Sequence, residues 1–119
     1  MADSYTELFY HIVWAMKDRE GDITADVEEI LYSYISSLCR TTEIYVLALD
    51  GTSDHVHMAC SIPASLSVSQ VVKDIKGKSA YHVNHVEGDL KFLTWQPGYG
   101  ALSFSKRNIK SVVDYVNRQ

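Results

Sequence analysis

Aromatic and β-branched side chains fill residues 5–16, Tyr-Thr-Glu-Leu-Phe-Tyr-His-Ile-Val-Trp-Ala-Met, and the charged stretch from Lys17 to Asp22, with Gly21, breaks the run. This pattern predicts a long first strand. The spacing then changes to that of a helix: Val27, Ile30, Leu31, Tyr34, Ile35 and Leu38 recur every three or four residues to about residue 40. Thr24 suits its N-terminus, because Asp26, Glu28 and Glu29 in the first turn oppose the helix dipole. The capping box is incomplete, with Val27 standing where a Glu would close it. Residues 43–49 read as a second strand, Asp50-Gly51 as a turn, and residues 54–62 as a third strand ended by Pro63-Ala64-Ser65. A second helix begins near Ser67, with Val68, Val71, Val72, Ile75 and Val83 on one stripe. Residues 92–105 hold a fourth strand with an irregular start, since Pro97 cannot donate to a ladder. A last helix runs from about Asn108 to the end. The order β-α-β-β-α-β plus a terminal helix predicts an α+β, ferredoxin-like split βαβ fold. Two helices pack on one face of a four-stranded antiparallel sheet, and the opposite face is left open for function.

Composition narrows the class. The 119 residues are 46% apolar and 22% charged, and they show no repeat, low-complexity tract or Pro/Gly/Ser linker, so residues 1–119 are expected to form a single domain. No apolar run approaches the roughly 20 residues that span a bilayer, and Met1-Ala2-Asp3-Ser4 lacks the blocks of a signal peptide, which points to a cytoplasmic protein without a membrane partner. Cys39 and Cys60 are too few for a disulfide framework and read as small buried hydrophobes. The net charge of −4 at first argues against a nucleic-acid partner, yet it conceals an asymmetry. Residues 1–60 carry three basic and eleven acidic residues, a balance of −8; residues 61–119 carry eight basic and four acidic, a balance of +4. The bases Lys73, Lys76, Lys78, Lys106, Arg107, Lys110 and Arg118 are therefore expected to form a basic region, although solvated helix faces would give the same count.

The candidate chemistry lies in Asp54-His55-Val56-His57-Met58-Ala59-Cys60. Side chains alternate along a strand, so Val56, Met58, Cys60 and Ile62 form an apolar set, while His55, His57, Ala59 and Ser61 share the other face. If the apolar set faces the helices, both imidazoles stand on the open face, spaced to reach one divalent ion. A third ligand would have to come from elsewhere, and an isolated His-X-His is as readily plain surface. In the last helix Ile109, Val112, Val113 and Val116 form the apolar stripe, with Tyr115 on its flank and Gln119 one turn further on. Tyr115 alone is a weak candidate, because an aromatic beside a helix stripe is common.

Together these residues resemble a known family. His55-Val56-His57 looks like the His-hydrophobic-His motif of the HUH endonuclease superfamily, and Tyr115 to Gln119 resembles the Tyr-x-x-x-Gln helix of its single-tyrosine transposases. His11-Ile12-Val13-Trp14, Lys76-Gly77-Lys78-Ser79 and Trp95-Gln96-Pro97-Gly98-Tyr99-Gly100-Ala101 stand in the family's order and spacing. The resemblance covers nearly the whole chain and is to the transposases of the smallest bacterial and archaeal insertion sequences and their REP-associated relatives.

The resemblance implies a metal-dependent transposase or endonuclease that cleaves and rejoins single-stranded DNA at hairpin-containing ends. Tyr115 is then the nucleophile and forms a 5′-phosphotyrosine intermediate. His55, His57 and Gln119 are the ligands of Mg²⁺ or Mn²⁺, and the protein works as a homodimer. Lys73, Lys76, Lys78, Lys106, Arg107 and Lys110 are the expected phosphate contacts. Trp95 and Tyr99 could stack on bases, but packing suits each better. His11 reads as structural and a neighbour of the site, and His82 and His85 as surface. Two other readings stay open: a non-catalytic ferredoxin-like nucleic-acid-binding module, such as an inactive or domesticated transposase copy, and a small metal-binding or regulatory protein, which leaves Tyr115 unexplained.

Overall fold

The computed structural model describes residues 5–17, 23–86 and 93–119. Residues 18–22 of the charged break after the first strand and the expected start of the fourth strand at residue 92 lie outside the described residues. Strands β1 (Phe9–Ala15), β2 (Tyr45–Gly51), β3 (His55–Ser61) and β4 (Gly100–Phe104) form one sheet in the order β2-β3-β1-β4, with every pairing antiparallel. With helices α1 (Ala25–Thr41) and α2 (Val68–His85) between the strands, this is the ferredoxin-like split βαβ arrangement.

Local chemistry sets the boundaries. The Thr24 side chain accepts from the Val27 N–H at 3.4 Å and that of Ser67 from the Gln70 N–H at 3.1 Å, so each helix starts where a hydroxyl satisfies an otherwise orphaned donor. Ile12 and Trp14 of β1 and Val56, Met58 and Cys60 of β3 point to the helices, where they meet Leu31, Ile35, Val72 and Ile75 in the principal core. Cys39 and Cys60 are buried free thiols within it. Gly51 ends β2 for a steric reason, since a Cβ there would stand 2.1 Å from the His55 carbonyl oxygen and 2.7 Å from the Tyr32 hydroxyl. The main strand of β4 is shorter than expected. Residues 94–99 form a loop attached to β1 by the bridge between Met16 and Trp95, and only 100–104 continue the ladder.

The sheet's second face is not left open. A 3₁₀ turn (Lys106–Asn108) leads into α3 (Ile109–Asn117), which lies across β2 and β3 on the side away from α1 and α2. Val116 is fully buried against Ala48 and Ala59, with Val112, Val113, Leu47 and Phe104 around it. Two alanines on adjacent strands, paired Ala48 to Ala59, leave room for a helix to approach, so a second, smaller core forms there.

Candidate active site

Strand register decides what meets on the α3 face. Val13 pairs with His57, Ala15 with His55 and His11 with Ala59, which puts His11, His55 and His57 on one face with His11 diagonal to His57. The expected alternation of β3 therefore holds. His57 is 9% exposed, and its Nδ1 lies 3.0 Å from Nε2 of His11, with the two rings stacked at 5.3 Å. Burial pulls both imidazoles below their ordinary value of 6.5, and for His57 the neighbouring His11 and His55 add to the shift. Asp50, paired with His57 across β2 and β3, opposes part of the shift, and the net direction favours the neutral form, which carries a lone pair. The Nδ1–H of His55 donates to Asp54 Oδ1 at 2.7 Å, which leaves its Nε2 available.

Tyr115 stands above these rings. It is 47% exposed, and its ring meets His11 edge-on at 5.6 Å and His57 at 6.0 Å. Its position on the flank of α3 explains this: Val116, the next residue, is drawn into the second core, and Tyr115 is left over the histidines. Its hydroxyl has no hydrogen-bond partner among the described residues. Gln119 is one turn beyond, but its Nε2 donates to the Tyr115 carbonyl at 2.9 Å, so its side chain folds back on its own helix. Among the described residues no group of three or more His, Cys, Asp and Glu is arranged to hold a metal ion. Two imidazole nitrogens and an amide oxygen are nonetheless a donor set that a borderline divalent ion such as Mn²⁺ accepts better than Mg²⁺, which prefers oxygen.

The expected basic region divides between the two sides of the sheet. Lys73, Lys76 and Lys78 ride on α2, in the layer opposite α3, whereas Lys106, Arg107 and Lys110 lie at the start of α3. Several are engaged. The ammonium of Lys76 donates to the carbonyls of Gln96 and Gly98 at 2.8 Å each, Lys106 pairs with Glu7 at 3.0 Å, and Lys110 with Asp114 at 3.0 Å. Lys76 thereby clamps the 95–99 loop, whose Gly98 takes a positive φ of 91°. The clamped loop walls an open cleft of about 290 Å³ lined by His55, Ala15, Gln96, Pro97 and Tyr99. Trp95 packs edge-on against Trp14 in the core, and Tyr99 stays partly exposed.

Sequence reasoning missed three contacts. His11 bonds to a candidate ligand rather than merely standing near the site, and its position on the same face as His57 is visible only once the β1/β3 register is known. His82 stacks on Tyr34 at 4.3 Å across the two helices. His85 stacks on Tyr81 at 4.0 Å and donates from Nδ1 to its carbonyl; this one was readable from the four-residue spacing.

Known proteins share this fold and sequence pattern. The family model described as "Transposase IS200 like" matches residues 4–119. The transposase for insertion sequence element IS200 of Salmonella typhimurium is 32% identical over 115 residues, covering 92% of this chain and 75% of that protein. The ISDra2 transposase TnpA of Deinococcus radiodurans is 25% identical over 118 residues, covering 95% and 84%. Among solved structures, one assigned to a transposase of Deinococcus radiodurans superposes with a TM-score of 0.80 at 23% identity, over 100% of this chain and 95% of that one. The REP-associated tyrosine transposase bound to a REP hairpin superposes with a TM-score of 0.69 at 18% identity, over 98% and 68%. The chain is a member of the IS200-like transposase family.

Proposed function

We propose that this transposase cleaves and rejoins single-stranded DNA with Tyr115 as nucleophile, at a site it shares with His55 and His57. The observation that carries the reading is the half-exposed Tyr115, set against the rings of His11 and His57 on the face that His55 shares by a helix anchored through buried Val116, its hydroxyl without a hydrogen-bond partner among the described residues. The tyrosine oxygen attacks phosphorus, the bond to the 3′ oxygen breaks, and the products are a 5′-phosphotyrosine and a free 3′-hydroxyl. The phosphodiester bond energy is kept, so a second strand's 3′-hydroxyl reverses the step and joins the strands without ATP. His55 and His57, with the amide oxygen of Gln119, would hold Mn²⁺ or Mg²⁺, which when bound neutralises charge on the scissile phosphate and orients it. Gln119 must release the Tyr115 carbonyl, or bind through its oxygen while still donating from nitrogen, to take that role. The cleft beside His55 gives the nucleotide next to the cleaved bond a place to lie. A hairpin ligand is supported by the REP-bound relative of the same fold, and exchange between two strands calls for two sites, hence a homodimer.

The test is a labelled hairpin in single-stranded DNA incubated with Mn²⁺ and resolved on a denaturing gel. The native chain forms a covalent adduct, and Tyr115→Phe, which keeps both ring contacts, forms none; His57→Ala is also silent. Absence of any Tyr115-dependent adduct across a set of hairpins refutes the nuclease reading.

A further inference from the structure

We propose that His11 is a positioning residue that selects which nitrogen of His57 faces the metal, an inference that rests on the metal role given to His57 above. Two imidazole nitrogens that stand 3.0 Å apart hold one proton between them, and between uncharged rings the bond forms in only two ways. When His57 donates from Nδ1, its Nε2 carries the lone pair and can ligate. When His11 donates from Nε2, the proton of His57 sits on its own Nε2, and that nitrogen is blocked.

The neighbouring ligand shows the same device in unconditional form. Nδ1 of His55 meets the Asp54 carboxylate, which only accepts, so His55 is fixed with Nε2 bare. His57 has no carboxylate in that place; His11 occupies it from the adjacent strand. The pairing that creates this contact is built into the sheet, because Val13 lies opposite His57 and sends His11 to the diagonal position. Stacking at 5.3 Å, with an interplanar angle of 29°, keeps the rings in that relation, and the Tyr115 ring meets both at steep angles. His11 thus touches the two functional side chains while its own Nε2 is spent on His57.

The experiment reads the tautomer directly in the metal-free, full-length chain at neutral pH, from long-range proton–nitrogen correlations of the labelled imidazoles. The native protein shows His57 protonated at Nδ1 and bare at Nε2. His11→Phe keeps a flat ring but removes the acceptor; in it His57 loses that fixed tautomer and Mn²⁺ affinity falls by roughly 10- to 100-fold. His11→Gln, whose amide oxygen reaches about as far as Nε2, recovers most of that affinity. Circular dichroism checks that both variants fold, and the tautomer in the native chain decides the matter without any variant. The proposal is overturned by a native His57 with its proton on Nε2, by a folded His11→Phe that binds Mn²⁺ like the native chain, or by a His11→Gln as weak as His11→Phe. Missing DNA adducts alongside the expected tautomer and affinities would refute the nuclease reading alone.

Discussion

Truncating Val116 to alanine separates the helix that carries Tyr115 from the rest of the fold. The nine residues of α3 are too few to be helical alone in water, where roughly 12–15 residues are needed for even marginal helicity, so docking holds the helix together. Val116 is the fully buried residue of that helix, and it sits in a core of its own on the opposite side of the sheet from the principal one. Removing two methyl groups costs about 1.6 kcal/mol of transfer free energy. The cavity left between Ala48 and Ala59 raises the total to about 2 kcal/mol, since strands cannot collapse onto the gap. With 1.4 kcal/mol per factor of ten, undocking becomes about 30-fold more frequent. Amide hydrogen exchange measures this: protection along 109–117 should fall about 30-fold, while that of β1 and β3 changes far less. On the proposed reading adduct formation should fall with it, although Tyr115 itself is unchanged. Equal loss of protection in helix and sheet would show that α3 unfolds only with the whole domain, and no loss at all would show that Val116 does not hold it.

Other outcomes follow from the same contacts. In the metal-free protein His11 and His57 titrate below 6.5, so the unfolded chain binds more protons than the folded one as the pH falls below that value; stability present above 6.5 is lost through the acid window. The urea midpoint should therefore drop between about pH 7.5 and about pH 5, and drop less in His11→Phe; equal drops in the two proteins would contradict the assignment. Gly51→Ala places a Cβ against the His55 carbonyl and should destabilise by about 1–3 kcal/mol in urea unfolding, with weaker Mn²⁺ binding because His55 opens the displaced strand. Lys76→Met removes both bonds to the loop and should speed amide exchange in 95–99 without changing the salt dependence of DNA binding. If the hairpin stem lies on the α3 face, Lys106, Arg107 and Lys110 supply about three phosphate contacts, and log affinity should fall with log salt at a slope of about −2.7; a slope near about −4.5 would mean that Lys73 and Lys78 also bind the backbone.

The parts of the fold legible in the sequence were those set by local periodicity. The two-residue alternation through Val56, Met58 and Cys60 fixed the face of His55 and His57 in advance, and the hydroxyls of Thr24 and Ser67 marked both helix starts. What stayed hidden depended on contacts between distant segments. The His11–His57 bond spans 46 residues and requires the β1/β3 register, which no run of either strand encodes alone. The coverage of the second face depended on Ala48 and Ala59 being paired across β2 and β3; each read merely as a small strand residue. Lys76 was legible as a base but not as a clamp, because its partners are backbone carbonyls, and a carbonyl leaves no mark in a side-chain pattern.

The charge of −4 acquires a structural meaning from these placements. On the site face Lys106 already has Glu7 and Lys110 has Asp114, so a phosphate must compete with a carboxylate at both of these bases. Both pairs are exposed and each is worth little, so the exchange is nearly free, but it gains little as well. Arg107, which lies between them in sequence, has no ion pair among the described residues. Phosphate attraction at Lys106 and Lys110 is therefore weakened by their own carboxylate partners. On the reading proposed above, discrimination would rest on geometry: the shape of the folded DNA, the cleft walled by the clamped loop, and a scissile phosphate reaching His55, His57 and Tyr115 together. On the reading proposed above, weak general attraction would have an advantage, because a cleaved end held only by a bond to Tyr115 could leave its first partner and meet a second.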